Sequence, residues 1–206
     1  LATGVRRRLA NRWQQRFLAR ADLVSVATDT VGEDFVASGL DPARLHLTEN
    51  GYWEAPETIP AYTAQEKIRI VYIGAISATQ GVDILARAAQ RLMRDRPSVG
   101  ERLEIVIYGP DTPHRRATLS GSLPACVTYG GYLPAQEVGV KLLSTDVAFL
   151  SLSSDRYAYA VPGKLYDYIA HGRPVLASLP QGTAQRLIES QALGWTTGVG
   201  DVAALA

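Results

Sequence analysis

Cysteine and long apolar runs are what this chain of 206 residues most plainly lacks. Cys126 is its single cysteine, which excludes an internal disulfide and a thiolate metal cluster and makes a reducing compartment, the cytosol by default, the expected setting. The longest apolar runs, such as Val147 to Leu150 and Ile105 to Tyr108, are strand-sized and far below the roughly 18 to 20 residues a bilayer span requires. The three histidines, His46, His114 and His171, are too scattered to suggest a metal site and are expected at the surface. Charge of one sign is scarce as well: 21 Lys plus Arg stand against 20 Asp plus Glu, so the chain as a whole offers nucleic acid no attraction. With 47% hydrophobic and 20% charged residues, a disordered, collagen-like or coiled-coil chain is excluded.

The balanced total hides an asymmetry. Arg6, Arg7, Arg8, Arg12, Arg16 and Arg20 all precede the first acidic residue, Asp22. Val5, Leu9, Arg12, Trp13, Arg16, Phe17 and Arg20 recur at helical spacing, which predicts an amphipathic helix with a mixed arginine and aromatic face. One reading leaves those arginines in water; the other sets the helix on anionic lipid or phosphate. The chain opens Leu1-Ala2-Thr3 without an initiator Met and stops at Val202-Ala203-Ala204-Leu205-Ala206 as a helix begins, so it is read as a fragment of something longer, truncated at its C-terminus.

Leu23 to Ala27 reads as a buried strand, Asp29 to Ser38 as a short helix capped by Gly39, and Leu45 to Thr48 as another short strand before the turn signal Asn50-Gly51. Residues 52–66, with two prolines and little periodicity, read as a linker. Beyond it, β-branched runs alternate with helical patterns. Strands are expected at Ile68 to Ile73, Leu103 to Tyr108, Val127 to Tyr129, Val147 to Leu150, Val175 to Ala177 and Trp195 to Thr197. Helices are expected at Val82 to Arg94, Ala135 to Leu143, Gly163 to His171 and Thr183 to Ser190. Such alternation predicts an α/β fold, a doubly wound Rossmann-like parallel sheet.

Ligands of such sheets bind beyond the carboxyl ends of the strands, so four loops matter: Gly74 to Gly81, Gly109-Pro110-Asp111, Gly130 to Leu133, and Ser151 to Lys164. The first matches neither the dinucleotide fingerprint nor the P-loop, although it leads into a helix N-terminus suited to an anion. In the fourth, Pro162 sits at a helix start and Gly163 leaves the free N–H groups open to a phosphate. Lys164, Asp167 and His171 share one helix face, with Leu165, Tyr168 and Ile169 on the other. Lys164 can supply positive charge and Asp167 can accept hydrogen bonds from sugar hydroxyls; alternatively the two are a solvated ion pair.

At these residues the sequence resembles glycosyltransferase group 1, or family 4, in its C-terminal nucleotide-sugar half. Ala21 to Ala27 is similar to that family's last N-domain strand, and Glu49-Asn50-Gly51-Tyr52 to its interdomain turn. Ile70-Val71-Tyr72-Ile73-Gly74 with Gly81-Val82-Asp83 resembles its first donor-domain strand and turn. Pro162 through Val175 resembles the P-S-K-x-x-E-Y-x-A-x-G-x-P-V variant of polysaccharide and O-antigen transferases. The resemblance implies half of a two-domain GT-B architecture: residues 1–51 from the acceptor domain, 52–66 an interdomain linker, and 67–206 the donor domain. It further implies retaining transfer of a sugar from a UDP or GDP sugar to a glycan or lipid-linked acceptor, in polysaccharide or glycoconjugate biosynthesis. The chain would act in the cytoplasm or at the inner membrane face, without cofactor or metal, and the fragment alone would be inactive.

The donor-binding residues so implied are Gly74, Gly81, Gly109, Tyr132, Leu133, Pro162, Gly163, Lys164 and Asp167, with Asp167 on the ribose and the Tyr132-Leu133 backbone at the base; the catalytic groups are not assigned. The family's first-loop Arg and Lys correspond here to Ala75 and Gln80, and its first acid to Tyr159. Charge compensation for a diphosphate would therefore rest on Lys164 and the N–H groups around Gly163. Two other readings stay open, a non-catalytic binding or scaffolding homologue and a nucleotide-sugar 2-epimerase.

Overall fold

The computed structural model describes residues 2–61, 63, 65–121 and 123–206, with the side chains of residues 2, 3 and 5–7 left out of the description. Val5 of the expected helix face and Arg6 and Arg7 of the arginine-rich opening thus have side chains outside the described set, and Tyr62 and Ala64 of the expected linker lie outside the described residues. The chain divides into two compact units, Leu1–Asn50 and Gly51–Ala206.

The first unit holds α1 (Ala2–Arg20), β1 (Val24–Val26), α2 (Asp29–Ala37) and β2 (Leu45–Leu47), with β1 and β2 paired in parallel. Helix α2 begins where the Thr28 hydroxyl accepts the Val31 N–H and Asp29 faces the positive end of the helix dipole. The strand expected to be buried over 23–27 is shorter and only partly covered: Val26 is buried, whereas Leu23 and Ser25 are exposed. Asn50-Gly51 forms no tight turn and instead lies in irregular chain. Along α1, Arg8, Leu9, Arg12, Trp13, Arg16, Phe17 and Arg20 are all exposed, while Leu18 is buried.

The second unit runs β3 (Ile68–Ile73), α3 (Asp83–Asp95), α4 (Pro97–Gly100), β4 (Leu103–Tyr108), α5 (Pro113–Thr118), β5 (Val127–Gly131) and α6 (Ala135–Leu143). It continues with β6 (Val147–Ser151), α7 (Gly163–Ala170), β7 (Val175–Ser178), α8 (Thr183–Ser190), β8 (Gly194–Thr197) and α9 (Val202–Leu205). All neighbouring strands pair in parallel, in the order β5-β4-β3-β6-β7-β8. Strand order therefore reverses between β3 and β6, and the loops leaving these two strands diverge and open a crevice. Helices α4 and α5 escape a periodicity reading because each is too short to repeat a stripe, and both begin at a proline.

Helices on both faces explain the near-continuous apolar strands. One core packs Ile84, Leu85 and Ala89 of α3 against Tyr72, Ile105, Ile107 and Phe149, with Val202 and Leu205 of α9 at its edge. The other packs Leu142 of α6, Leu165 and Tyr168 of α7 and Ile188 of α8 against Val71, Ala148, Leu150, Val175 and Ala177. At about 1.5–3 kcal/mol for each large side chain, these two layers supply most of the stabilisation that holds the sheet between them. At the amino end of the two central strands, the Asp146 carboxylate accepts the Arg69 backbone N–H at 2.7 Å and its guanidinium at 3.1 and 3.2 Å, tying β3 to β6.

Candidate functional site

Three of the loops singled out in the sequence converge beyond the carboxyl ends of β3, β4 and β5. Ile73-Gly74-Ala75, Tyr108-Gly109-Pro110 and Tyr132-Leu133 line one cavity of about 220 Å³. Glycine makes the convergence sterically feasible. A Cβ at Gly109 would stand 2.4 Å from the Gly74 carbonyl oxygen, a distance no side chain can occupy. The Gly74 N–H donates to the Tyr108 carbonyl at 3.1 Å and the Gly109 N–H to the Gly131 carbonyl at 2.9 Å, so the three turns are laced together by backbone bonds. Tyr132 offers a largely exposed ring at the rim.

From the other side of the switch point, α7 brings Lys164. Its Nζ donates to the Tyr72 hydroxyl at 2.8 Å and lies 3.9 Å from the centre of the Tyr72 ring. The same hydroxyl donates to the Ala75 carbonyl at 2.6 Å. Gly74, at φ +142°, leaves room for the amine, because a Cβ there would stand 2.6 Å from Nζ. Burial takes the Lys164 amine from its ordinary 10.5 down to about 7, and the same cause pushes the Tyr72 phenol upward, with Tyr168 adding to it. The phenol therefore remains a protonated donor while the amine titrates near neutrality.

Pro162 caps α7, and Gly163 is its first residue. Apart from its chain neighbours and the helix's own backbone, no described atom lies within 4 Å of where a Gly163 Cβ would be, so this position opens outward; the Leu165 N–H donates to the Pro162 carbonyl at 2.9 Å, which leaves the Gly163 and Lys164 N–H groups as the first-turn donors without an acceptor inside the helix. The cation and these donors are what a phosphate group requires.

Two expected members of the site lie elsewhere. Gly81 packs against Ser153 and lines a smaller cavity with Asp83, Arg87, Ser151 and Ser178. Asp167 lines a roomier cavity of about 450 Å³ with His171, residues of α6, and Trp53 to Pro56 of the segment read as a linker. Lys164 thus bonds to a tyrosine rather than forming the alternative ion pair with Asp167. Burial raises the Asp167 carboxyl above its usual range, with the charge of His171 pulling the other way. The expectation of a surface His171 is corrected: the ring is buried, its Nδ1 donates to the Asp167 carbonyl at 2.7 Å, and its Nε2 faces Gly139, where absence of a side chain makes room for it. His46 and His114 are exposed.

Tyr72 is the site residue that a strand reading passes over, since it sits in the apolar run over residues 70–73. A phenol inside a strand buried on both faces must find partners, and that requirement is the signal that could have found it. Among the described residues, no group of three or more His, Cys, Asp or Glu could hold a metal ion, and no helix is long and apolar enough to cross a membrane.

The depressed Lys164 amine has a consequence for stability. Between about 7 and its unfolded value of 10.5 the unfolded chain binds the extra proton, so this residue makes the fold more stable as pH rises from 7. Urea unfolding at pH 7.0 and 8.5 is expected to give a higher midpoint at 8.5, by a margin that Lys164→Met removes. An equal pH response in both proteins would rule out the buried amine.

The doubly wound sheet, with a glycine-framed cavity and a lysine at its switch point, defines the class as the Rossmann-like half of a GT-B architecture. Residues 67–206 match the family model described as glycosyl transferases group 1, and the chain belongs to that family. A probable glycosyltransferase, WbjE, of Pseudomonas aeruginosa is 34% identical over 83 residues, which cover 40% of this chain and 21% of that protein. Among solved structures, a glycosyltransferase from Rickettsia africae superposes with a TM-score of 0.71 at 13% identity, over 95% of this chain and 55% of its own. Anabaena HepE in complex with UDP gives 0.68 at 17% identity, over 94% of this chain and 53% of its own. The chain thus spans about a fifth of the curated relative it matches and about half of these structures.

Proposed function

We propose that the second unit binds the nucleoside diphosphate of a nucleotide-sugar donor, UDP or GDP linked, and that the whole protein transfers the sugar with retention to an acceptor hydroxyl of a glycan or lipid-linked carrier. The observation that carries this reading is the meeting of three glycine-rich turns around one cavity of about 220 Å³, with the Lys164 amine against Gly74. Gly74, Gly109, Tyr132 and Leu133 frame the space for the nucleoside, while Lys164 and the α7 N-terminus meet the diphosphate. Pro162 fixes the entry of α7 and Gly163 keeps its donors accessible. Asp167 lines the roomier cavity beside α6 rather than this one, and its assignment to the ribose, as a carboxylate that accepts sugar hydroxyls, rests on membership of the family alone; Gly81 supports the first loop through Ser153.

Anabaena HepE, solved with UDP and with UDP and glucose, shares the fold of this unit and makes UDP the first donor nucleotide to test. The reading expects donor binding without turnover from the 206 residues by themselves. Incubating the chain with a UDP or GDP sugar and a lipid-linked or glycan acceptor should give no glycosylated product. Transfer by this chain would overturn the division of labour between donor and acceptor sides.

The acceptor side is assigned to a membrane surface at the cytoplasmic face. Helix α1 exposes Trp13 and Phe17 beside Arg8, Arg12, Arg16 and Arg20, a combination that buries aromatics at the headgroup boundary while the arginines meet anionic lipid. Flotation with phosphatidylglycerol vesicles should recover the chain, phosphatidylcholine vesicles should not, and Trp13→Ser with Phe17→Ser should abolish recovery. Equal recovery by both lipids would remove this assignment.

A further inference from the structure

We propose that Tyr72 is a positioning residue for nucleotide binding, holding the Lys164 amine against Gly74 and joining it to the Ala75 carbonyl so that one cation from α7 serves a first loop that carries none. The inference deepens the donor-binding reading above and rests on it.

Four observations converge on this tyrosine. Its side chain is wholly buried in the middle of the sheet, where an unpartnered phenol would be costly, yet both of its hydrogen-bonding capacities are used. The hydroxyl accepts from Lys164 Nζ at 2.8 Å and donates to the Ala75 carbonyl at 2.6 Å, so a continuous chain of bonds runs from α7 to the loop after β3. The ring itself lies under the amine, 3.9 Å from centroid to Nζ, where its negative face favours the ammonium form. Finally, the absence of a side chain at Gly74 is what admits the amine, since a Cβ there would press on it at 2.6 Å.

The loop from Gly74 to Gly81 contains no Lys or Arg. A diphosphate seated over its backbone would therefore draw no counter-charge from the loop itself, and Lys164 is the cation held against Gly74. Left to its own rotamers, a lysine on the first turn of α7 would extend into water and spend much of its attraction on being ordered. Tyr72 removes that freedom beforehand. It also prevents the buried amine from lacking a hydrogen-bond acceptor. The titratable neighbours in contact with Lys164 or with Tyr72 are Tyr72 on β3 and Tyr168 on α7, whose hydroxyl donates to the Phe149 carbonyl at 3.2 Å. Burial pushes both phenols up, so neither introduces a negative charge near neutral pH.

Tyr72→Phe separates positioning from packing, because it keeps the ring and removes the hydroxyl. Affinities of the full chain for UDP and GDP are measured by calorimetry in four proteins: the unsubstituted chain, Tyr72→Phe, Lys164→Ala and the double variant. Positioning predicts that Tyr72→Phe weakens binding about fivefold when Lys164 is present and has no further effect when it is absent. Equal weakening in both backgrounds would mean that Tyr72 acts on the loop alone and overturns the proposal. Binding that Tyr72→Phe leaves unaltered overturns it as well, while the donor-binding reading stands. A folded unsubstituted chain that binds neither nucleotide overturns both.

A second arm needs no nucleotide. The Lys164 amine, followed by NMR of isotope-labelled lysine, is expected to titrate near 7 in the unsubstituted chain and at least roughly half a pH unit lower in Tyr72→Phe, which no longer accepts the ammonium proton. An unmoved titration overturns the positioning role, whatever the nucleotide result.

Discussion

Lys164→Ala is expected to weaken binding of the donor diphosphate by about 2 kcal/mol, roughly thirtyfold in dissociation constant. The size follows from what else the crevice offers. Ala75 and Gln80 leave the first loop neutral, and the N-terminus of α7 contributes only its dipole and the N–H groups of its first two residues, about 0.3–1 kcal/mol for a partly exposed anion. A charge-assisted bond from a partly buried ammonium is the largest single attraction left. It also carries a pH signature. In the free protein the amine titrates near 7, and a bound diphosphate favours the charged form. The complex therefore holds more protons than the free protein above that value, so affinity falls as pH rises from 7 to 9. Calorimetric titrations across that range should show the decline in the unsubstituted chain and a flat profile in Lys164→Ala. A flat profile in both would separate Lys164 from the diphosphate.

Gly109→Ala is expected to act from the far side of the same cavity and to cost stability as well. The added methyl would need the space now held by the Gly74 carbonyl, 2.4 Å away, with Ile76 side-chain carbons at 3.1 and 3.2 Å behind it. Neither obstacle is the free end of a flexible chain, because Gly74 is hydrogen-bonded to Tyr108 and Ile76 is buried. The turn after β3 must shift, carrying with it the backbone that Tyr72 and Lys164 hold. A loss of about 2–3 kcal/mol in urea unfolding is expected, with at least roughly a tenfold loss in UDP or GDP affinity in protein that remains folded. Gly163→Ser is the useful contrast, since a Cβ at that position meets no protein atom and its folding stability should be unchanged.

The sheet was legible because its strands obey one strong constraint. Helices on both faces force runs such as residues 70–73 and 147–150 to be apolar, and the glycine-rich turns after β3, β4 and β5 mark where the chain leaves the sheet. Helices α3 and α8 carry stripes long enough to be read by period, whereas α4 and α5 rest on local chemistry at their first residues. Positions in the site were legible by loop, and side-chain direction was not. Helical spacing placed Lys164, Asp167 and His171 on one face, but a four-carbon stem lets Lys164 reach across to β3, while His171 turns back on the Asp167 carbonyl at the buried end of its helix. Residues 53–56 carried no periodic signal, and their part in the wall around Asp167 depends on packing that only the folded chain displays.

We place a nucleoside-diphosphate site at the switch point between β3 and β6, with Lys164 as its cation. Calorimetric titration of the chain with UDP and GDP at pH 7, beside Lys164→Ala, tests it most directly. Saturable one-to-one binding of at least one nucleotide, weakened roughly thirtyfold by the substitution, is expected. A folded chain that binds neither nucleotide, or one whose affinity is the same with alanine at position 164, would contradict it.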